Sequence, residues 1–147
     1  MKKRELIKSA GVSNFTISQL EDVLKVSPVN IVTNQVEFHP YLYQKELLEY
    51  CNAHKIIITA WAPLARGKIL DDTVIKKIAK SRGKTTAQIT LRWLLQKGLM
   101  AIPKASKMKN LKENISIFDW SLTESDIYSI DNIPTQERLI DLSFQWK

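Results

Sequence analysis

The chain has 147 residues, of which 44% are hydrophobic and 25% are charged, and it contains only four Gly and five Pro. These values are sufficient for a globular protein with its own hydrophobic core, and they exclude a disordered or fibrous protein. The formal net charge of +7 favours an anionic partner, although nucleic acid, a membrane surface and a phosphorylated ligand would all satisfy that preference.

The single cysteine, Cys51, has no intramolecular disulfide partner. It lies near Leu47 and Leu48 in a segment with helical periodicity, where we expect it to be buried. A free buried thiol fits a reducing compartment, and we therefore expect a cytoplasmic protein. The basic start of the chain is not followed by an apolar run, so no signal peptide is expected, and no stretch is long enough to cross a bilayer.

The first part of the chain predicts two strand–helix pairs. Residues 7–12 form a short, mostly apolar segment, and residues 16–26 follow with apolar side chains at helical spacing. Residues 29–36 are rich in β-branched side chains, and residues 44–54 return to helical spacing. The predicted order is therefore strand, helix, strand, helix.

A third strand is predicted at residues 56–61, where the apolar run is too continuous for a half-exposed strand. Both faces of this strand should therefore be covered. A turn over residues 63–67 follows the strand. Asp71 or Asp72 can then cap a helix, and Gly83 can end it.

The last third of the chain predicts a helix over 85–98, a brief fourth strand over 99–102 and a helix over 107–114. A final helix runs from 121 to about 132, and the tail over 134–147 is expected to be irregular. Strands joined through helices return in the same direction, so the four strands should pair in parallel. The fold is then either half of a (β/α) barrel or a small open α/β sheet.

Either architecture makes the chain a single domain, residues 1–147, whose functional groups gather where the strands end. The residues at these positions are polar or aromatic: Ser13, Asn14, Asn34, Gln35, Glu37, His39, the segment 61–67 and the segment 104–107. Amides bind amides and a ring stacks on a ring, so this set suits a flat polar heterocycle. Lys104 lies just ahead of a helix N-terminus, where free backbone N–H groups favour a phosphate.

Each of these residues also has a purely structural explanation. Ser13, Asn14 and Asn34 can cap turns, Trp61 can belong to the core, and residues 104–112 can form an exposed helix face. The structural explanation is weaker for the ordered set than for any one member of it.

Four segments resemble, in order and spacing, segments of the aldo-keto reductases: Gly11-Val12-Ser13-Asn14-Phe15, Asn34-Gln35-Val36-Glu37-Phe38-His39-Pro40, Ala60-Trp61-Ala62-Pro63-Leu64-Ala65-Arg66-Gly67, and Ile102-Pro103-Lys104-Ala105-Ser106 with Glu113-Asn114. The resemblance spans almost the whole chain. It implies an α/β fold that is a partial, half TIM (β/α)8 barrel, in which these segments correspond to strands five to eight.

The resemblance implies a nicotinamide site. Ser13, Asn14 and Gln35 match positions that hydrogen-bond the nicotinamide carboxamide in the family. Trp61 matches an aromatic position, commonly Tyr, that stacks on the nicotinamide ring.

The resemblance also implies contacts to the rest of the cofactor. Leu64 and Arg66 match the stretch that covers the pyrophosphate, Lys104 and Ser106 match the surroundings of the adenosine 2'-phosphate, and Glu113 and Asn114 match adenine contacts. The implied cofactor is NADP(H), with NAD(H) as the alternative. Asn110 stands where many members carry an Arg on the adenine side, so Lys107 or Lys109 would have to take over that contact to the 2'-phosphate.

By the same resemblance, the catalytic Asp, Tyr, Lys and His of the family belong to strands one to four, which would precede Met1. We therefore expect no catalytic residue in this chain. His39 beside Glu37 has the composition of an acid–base pair but is expected to be structural. Tyr41 and Tyr43 would each need a neighbouring lysine to become useful proton donors at neutral pH, and no motif places one.

Two dispersed histidines and one cysteine do not predict a metal site. His54 stands at a helix end, where a charge on its ring would be favourable, and it is not expected to be a metal ligand. Basic residues are scattered without interleaved aromatics, so neither nucleic acid nor a membrane is an expected partner.

Two functions follow as hypotheses. The first is the cofactor-binding half of an NAD(P)H-dependent reductase of an aldehyde or ketone, weakly active or inactive alone. The alternative is a non-catalytic remnant that binds a dinucleotide or self-associates. Four strands leave two open sheet edges, so we expect either a homo-oligomer or pairing with a complementary N-terminal half.

Overall fold

The computed structural model describes residues 6–140 of the chain. Four strands alternate with helices: β1 (Ser9–Ser13), α1 (Ile17–Val26), β2 (Asn30–Glu37), α2 (Lys45–Ala53), β3 (Ile57–Trp61), a 3-10 segment (Ala65–Asp71), α3 (Thr73–Arg82), α4 (Thr86–Gln96), β4 (Met100–Ala101), α5 (Met108–Ile115) and α6 (Glu124–Asp131). The predicted elements are all present, with ends that differ by at most three residues.

The strands form one parallel sheet in the order β1-β2-β3-β4. Ser13 lies beside Gln35, Gln35 beside Thr59, and Thr59 beside Met100. The sheet does not close on itself within residues 6–140. This architecture confirms the predicted α/β fold and corresponds to part of a (β/α)8 barrel.

Local capping explains where the helices begin. Thr16, Thr85 and Thr123 each form a reciprocal capping box with the residue three positions later. Asp72 rather than Asp71 caps α3, because its carboxylate accepts from the backbone N–H groups of Val74 and Ile75. Gly83 ends that helix in the left-handed conformation, as predicted.

The core lies on one face of the sheet. Val36, Ile58 and Ala60 point from the strands toward helices that cover them. The helical side of this core includes Leu20, Leu48, Cys51, Ile75, Ile89 and Trp93. Cys51 is fully buried, as predicted, and burial raises the pKa of its thiol to about 11.

The opposite face of the sheet is open. Ile57 is 47% exposed and Met100 is 48% exposed, and the hydroxyls of Thr33 and Thr59 bond to each other on this face at 2.9 Å. The prediction that both faces of the third strand are covered is therefore wrong. Ile57 on β3 points away from the helices, and residues 6–140 leave about half of its side chain exposed.

The connection after β3 is more structured than the predicted turn. Residues Ala65–Asp71 form a 3-10 segment that contains two residues with non-helical backbone angles, Arg66 and Gly67. Ala62, Ala65 and Arg66 all have positive φ, at 49°, 47° and 52°. Such angles are unfavourable for residues other than glycine, so the surrounding contacts must hold this loop in place.

The chain after α6 folds back toward the end of β2. The backbone N–H of Glu137 donates to the carbonyl of Tyr41 at 2.7 Å. Residues 133–140 contain no helix or strand, and the remainder of the predicted irregular tail lies outside the described residues. Among residues 6–140, no helix is both long and apolar enough to span a membrane.

Candidate functional site

The turn after β1 is set by a close approach of two strands. Gly11 lies opposite Thr33, and a Cβ atom on Gly11 would be 2.6 Å from the Thr33 methyl group. Only glycine allows β1 to lie this close to β2 at that point. The close pairing brings Ser13, at the end of β1, beside Gln35.

Asn14 follows in a left-handed conformation, with φ of 59°. Its backbone N–H donates to the carbonyl of Gln35 at 2.8 Å, and its side-chain Oδ1 accepts from the indole Nε1 of Trp61 at 3.0 Å. Its Nδ2 donates to the Ser13 hydroxyl at 3.2 Å, and that hydroxyl donates to the Gln35 carbonyl at 3.1 Å. Ser13, Asn14, Gln35 and Trp61 therefore form one connected group at the carboxyl edge of the sheet.

Asn34 has a different role from the other two amides. It is fully buried, and its side chain donates to the carbonyl of Phe15 at 2.9 Å and accepts from the N–H of Phe15 at 3.3 Å. Both ends of its amide are thus used to hold the turn between β1 and α1. Asn34 therefore stabilises the turn that carries Asn14.

Gln35 and Trp61 remain accessible at the sheet edge, since both are only partly buried. The Gln35 side-chain amide makes no hydrogen bond with any residue between 6 and 140. The site thus offers the amide of Gln35, the partly hydrogen-bonded amide of Asn14 and the indole face of Trp61. An aromatic ring that carries a carboxamide requires such groups. The chemistry of this set fits a nicotinamide.

Leu64 and Arg66 lie in the strained loop directly after Trp61. Leu64 is partly buried against the core, whereas Arg66 is exposed and has left-handed backbone angles. Strained backbone of this kind concentrates at ligand-binding sites. The loop places the Arg66 cation five residues after Trp61.

Lys104 and Ser106 follow β4 and are both exposed. Helix α5 begins just beyond them, and Lys107 at its N-cap position makes no side-chain capping bond. The first backbone N–H groups of α5 therefore have no side-chain partner at the cap, and the exposed Lys104, Lys107 and Lys109 are close to them in sequence. This arrangement favours an anionic group.

The predicted adenine-side residues have other contacts. The Glu113 carboxylate accepts from the Thr85 hydroxyl at 2.5 Å, next to the cap of α4. Asn114 lines an apolar groove of about 820 Å³ between β4 and α5. No hydrogen bond or ion pair joins either residue to the Ser13–Trp61 group in the described part of the chain.

Glu37 and His39 form a fully buried pair, with Oε1 of Glu37 3.0 Å from Nε2 of His39. The same carboxylate accepts from the backbone N–H groups of Leu139, at 2.6 Å, and Ile140, at 3.4 Å. Burial lowers the pKa of His39, and the hydrogen bond that its ring makes to the Glu37 carboxylate only partly opposes that effect. The pair thus anchors the returning C-terminal segment, which supports the structural interpretation.

Tyr41 and Tyr43 both make hydrogen bonds through their hydroxyl groups. The Tyr41 hydroxyl donates to Asp72 at 3.1 Å, and burial together with that carboxylate raises the pKa of Tyr41 to about 12. A lysine does lie beside Tyr43, although no motif indicated it: Lys97 Nζ is 3.0 Å from the Tyr43 hydroxyl and 2.9 Å from Asp131. The Lys97 ammonium thus forms an ion pair with the Asp131 carboxylate while it contacts the Tyr43 hydroxyl.

No sequence pattern predicted that the segment 137–140 lies at this site. Glu137 forms an ion pair with Lys68 of the 3-10 segment, and Arg138 lines a cavity of about 540 Å³ together with Asn14. Residues 137–140 have no periodicity or motif, so only the folded chain reveals their position. Within residues 6–140, no group of three His, Cys, Asp or Glu side chains is arranged to hold a metal ion.

Comparison with known sequences gives a consistent result. The model of the Aldo/keto reductase family matches residues 1–134. The chain is 48% identical over 129 residues to the uncharacterized oxidoreductase YtbE of Bacillus subtilis, covering 88% of this chain and 46% of that protein. It is 44% identical over 133 residues to the glyoxal reductase of the same organism, covering 90% and 48%.

Solved structures agree with the sequence comparison. A crystal structure of an aldo-keto reductase complexed with NADPH is 31% identical, with a TM-score of 0.85, and the match covers 95% of this chain and 46% of that one. An aldo-keto reductase from a deep-sea metagenome library gives a TM-score of 0.89 at 31% identity, covering 95% and 53%. The chain thus spans about half the length of the relatives that it matches.

Proposed function

Because the chain belongs to the aldo/keto reductase family, we propose that residues 1–147 form the nicotinamide-nucleotide-binding half, the C-terminal half, of an NAD(P)H-dependent carbonyl reductase. One observation carries this proposal: Ser13, Asn14, Gln35 and Trp61 are linked at one edge of the sheet. The relative complexed with NADPH and the glyoxal reductase support the same class of reaction.

The residues of the chain bind and orient the nucleotide. Gln35 and Asn14 offer amide groups to a carboxamide, and the Trp61 ring offers a face for stacking. Arg66 and Lys104 supply positive charge for phosphates, and the exposed Lys107 and Lys109 make NADP(H) the preferred cofactor over NAD(H). When bound, the reduced nicotinamide would supply hydride to the carbonyl carbon of an aldehyde or ketone.

Carbonyl reduction also requires a proton donor at the carbonyl oxygen. Tyr41 is bound to Asp72, and its raised pKa makes it a weaker acid. Lys97, the partner of Tyr43, is paired with Asp131. We propose that neither tyrosine serves as this donor and that the 147-residue chain alone is inactive or nearly so.

Titration of the 147-residue chain with NADPH and NADH, followed by nicotinamide fluorescence, tests the binding proposal. We expect saturable binding that is tighter for NADPH. Gln35→Leu removes an amide that only a ligand would use, and it should weaken binding by about tenfold. Gln136→Leu, on the exposed C-terminal segment, is the matched control and should bind like the unaltered chain. Absence of saturable binding would reject the proposal.

A complementation experiment separates a reductase half from a non-catalytic remnant. The chain alone should reduce glyoxal at least about 100-fold more slowly than the Bacillus glyoxal reductase, because general acid catalysis is missing. Co-expression with the amino-terminal half of that enzyme should raise activity. Binding without any recovered activity would favour the alternative, a dinucleotide-binding or self-associating remnant.

A further inference from the structure

The Asn14 side chain has a fixed polarity that its partners dictate. An indole Nε1 carries a hydrogen and can only donate, so the group facing Trp61 must be the amide oxygen of Asn14. The amide nitrogen then faces the Ser13 hydroxyl, 3.2 Å away. One of its two hydrogens bonds to Ser13, and the other bonds to no residue between 6 and 140.

The backbone around Asn14 leaves the side chain little other freedom. The left-handed φ of 59° and the bond from Asn14 N–H to the Gln35 carbonyl fix the residue itself. Asn34 holds both backbone groups of the following residue, Phe15. The principal remaining movement is a flip of the amide, which exchanges its oxygen and nitrogen, and the indole of Trp61 opposes that flip.

We propose that the indole N–H of Trp61 is a positioning group, which holds the Asn14 amide with the amide N–H directed toward the ligand. The site then selects a nicotinamide nucleotide through the carbonyl oxygen of the nucleotide's carboxamide. This inference rests on the proposed function. A phenol at position 61 could donate or accept by rotating its hydroxyl, and a phenyl ring could do neither. Tryptophan alone among the aromatic residues with a large ring face gives a fixed donor here.

The lock itself can be tested without a nucleotide. In ¹H–¹⁵N spectra of the free chain, Trp61→Phe identifies the Trp61 indole resonance by its loss. Asn14→Gly keeps the left-handed backbone and removes the acceptor. We expect the indole proton to shift upfield and to exchange faster with solvent in this variant. An indole resonance that does not change in Asn14→Gly would overturn the lock.

The consequence for binding is tested by a double-mutant cycle with NADPH. Trp61→Phe retains a ring for stacking and should weaken binding by about threefold to tenfold, the range for one neutral hydrogen bond. Asn14→Gly should weaken binding at least as much. Because Trp61 acts through Asn14, adding Trp61→Phe to Asn14→Gly should cost no further affinity. Trp120→Phe, remote from the Ser13–Trp61 group, is the control and should leave affinity unchanged.

A merely structural role for the Trp61 bond predicts a different result. In that case Trp61→Phe would lower thermal stability, and the two losses of affinity would multiply in the double variant. A selectivity readout sharpens the distinction. The 3-acetylpyridine analogue of the nucleotide keeps the carbonyl but lacks the amide N–H, so the unlocked Trp61→Phe site should discriminate against it more strongly than the unaltered site does.

The outcomes distinguish the inference from the proposed function. If the unaltered chain binds neither NADPH nor NADH, the proposed function fails and the selection of ligands fails with it, whatever the spectra show. If the chain binds NADPH but the losses multiply and the selectivity is unchanged, only the positioning role of Trp61 is overturned.

Discussion

At the scale of single residues, Gly11 determines how closely β1 and β2 can approach. A methyl group at this position would be 2.6 Å from the Thr33 methyl, which is too short for two carbon atoms. Since Ser13 and Asn14 follow Gly11 directly, their position depends on this contact. Gly11 is therefore needed to place these residues.

Gly11→Ala should lower the free energy of unfolding by about 1–3 kcal/mol, the usual cost of overpacking. It should also weaken NADPH binding, because β1 must move away from β2. Urea unfolding and the fluorescence titration measure the two effects. Thr33→Ser removes the opposing methyl and keeps the hydroxyl that bonds Thr59, so it should restore stability in the double variant. No rescue would mean that the strain arises elsewhere.

His39 makes stability depend on pH. Burial lowers its pKa below the ordinary value of 6.5, so the unfolded state binds more protons than the folded state below that pH. The free energy of unfolding should therefore fall as pH drops from about 7 toward 5.5. His39→Gln, which can still donate to Glu37, should show a smaller slope. Equal slopes for both proteins would contradict this assignment.

The sequence predicted the positions of the polar residues better than their bonds. The spacing of motifs predicted that Ser13, Asn14, Gln35 and Trp61 belong to one edge, and the structure brings them together. The bond between Asn14 and Trp61 joins residues 47 positions apart and depends on side-chain rotamers. No pattern along the chain encodes such a contact.

At the scale of elements, the C-terminal segment 137–140 is held across the end of β2. The Glu37 carboxylate accepts from two of its backbone N–H groups, and Lys68 pairs with Glu137. The segment thereby connects the end of β2 with the loop proposed to cover the cofactor. Its attachment therefore depends on the fully buried side chain of Glu37.

Glu37→Gln should loosen this segment, because the new amide nitrogen cannot accept a backbone N–H. Hydrogen–deuterium exchange of a peptide covering residues 137–140 should become about tenfold faster. Glu49→Gln, an exposed position on α2, is the control and should leave exchange unchanged. Unaltered exchange in Glu37→Gln would show that other contacts hold the segment.

Periodicity and capping residues predicted the helices well, since Thr16, Thr85 and Gly83 act locally. The 3-10 segment was missed because Ala62 and Ala65 adopt left-handed angles that alanine does not favour. The exposure of Ile57 was missed for another reason. An apolar run indicates burial on both sides only when a second layer is available to cover each face.

At the scale of the whole molecule, exposed apolar side chains concentrate at the edge formed by β4 and α5. Leu111 is 47% exposed, Ile115 68% and Phe118 66%, beside the exposed Met100 and Ile102. β1 and β4 also leave their outer backbone groups unpaired within the described sheet. We propose that the edge formed by β4 and α5 pairs with a second copy of the chain or with a complementary N-terminal half.

Light scattering after size-exclusion chromatography should show that the 147-residue chain is at least dimeric at micromolar concentration. Phe118→Lys places a charge in the apolar groove and should shift the population toward monomer. Tyr128→Lys, on α6, is an equally exposed control and should not. A stable monomer of the unaltered chain would reject self-association, and co-purification with an N-terminal half would then test the other partner.

The consecutive order of the strands also bears on how the chain acquires its structure. Ser9 pairs with Asn30, Thr33 with Ile57 and Thr59 with Met100, so each strand meets the one synthesised just before it. The entropic cost of closing a loop rises only slowly with its length. We therefore expect β1 and β2 to be able to pair before β4 has been synthesised.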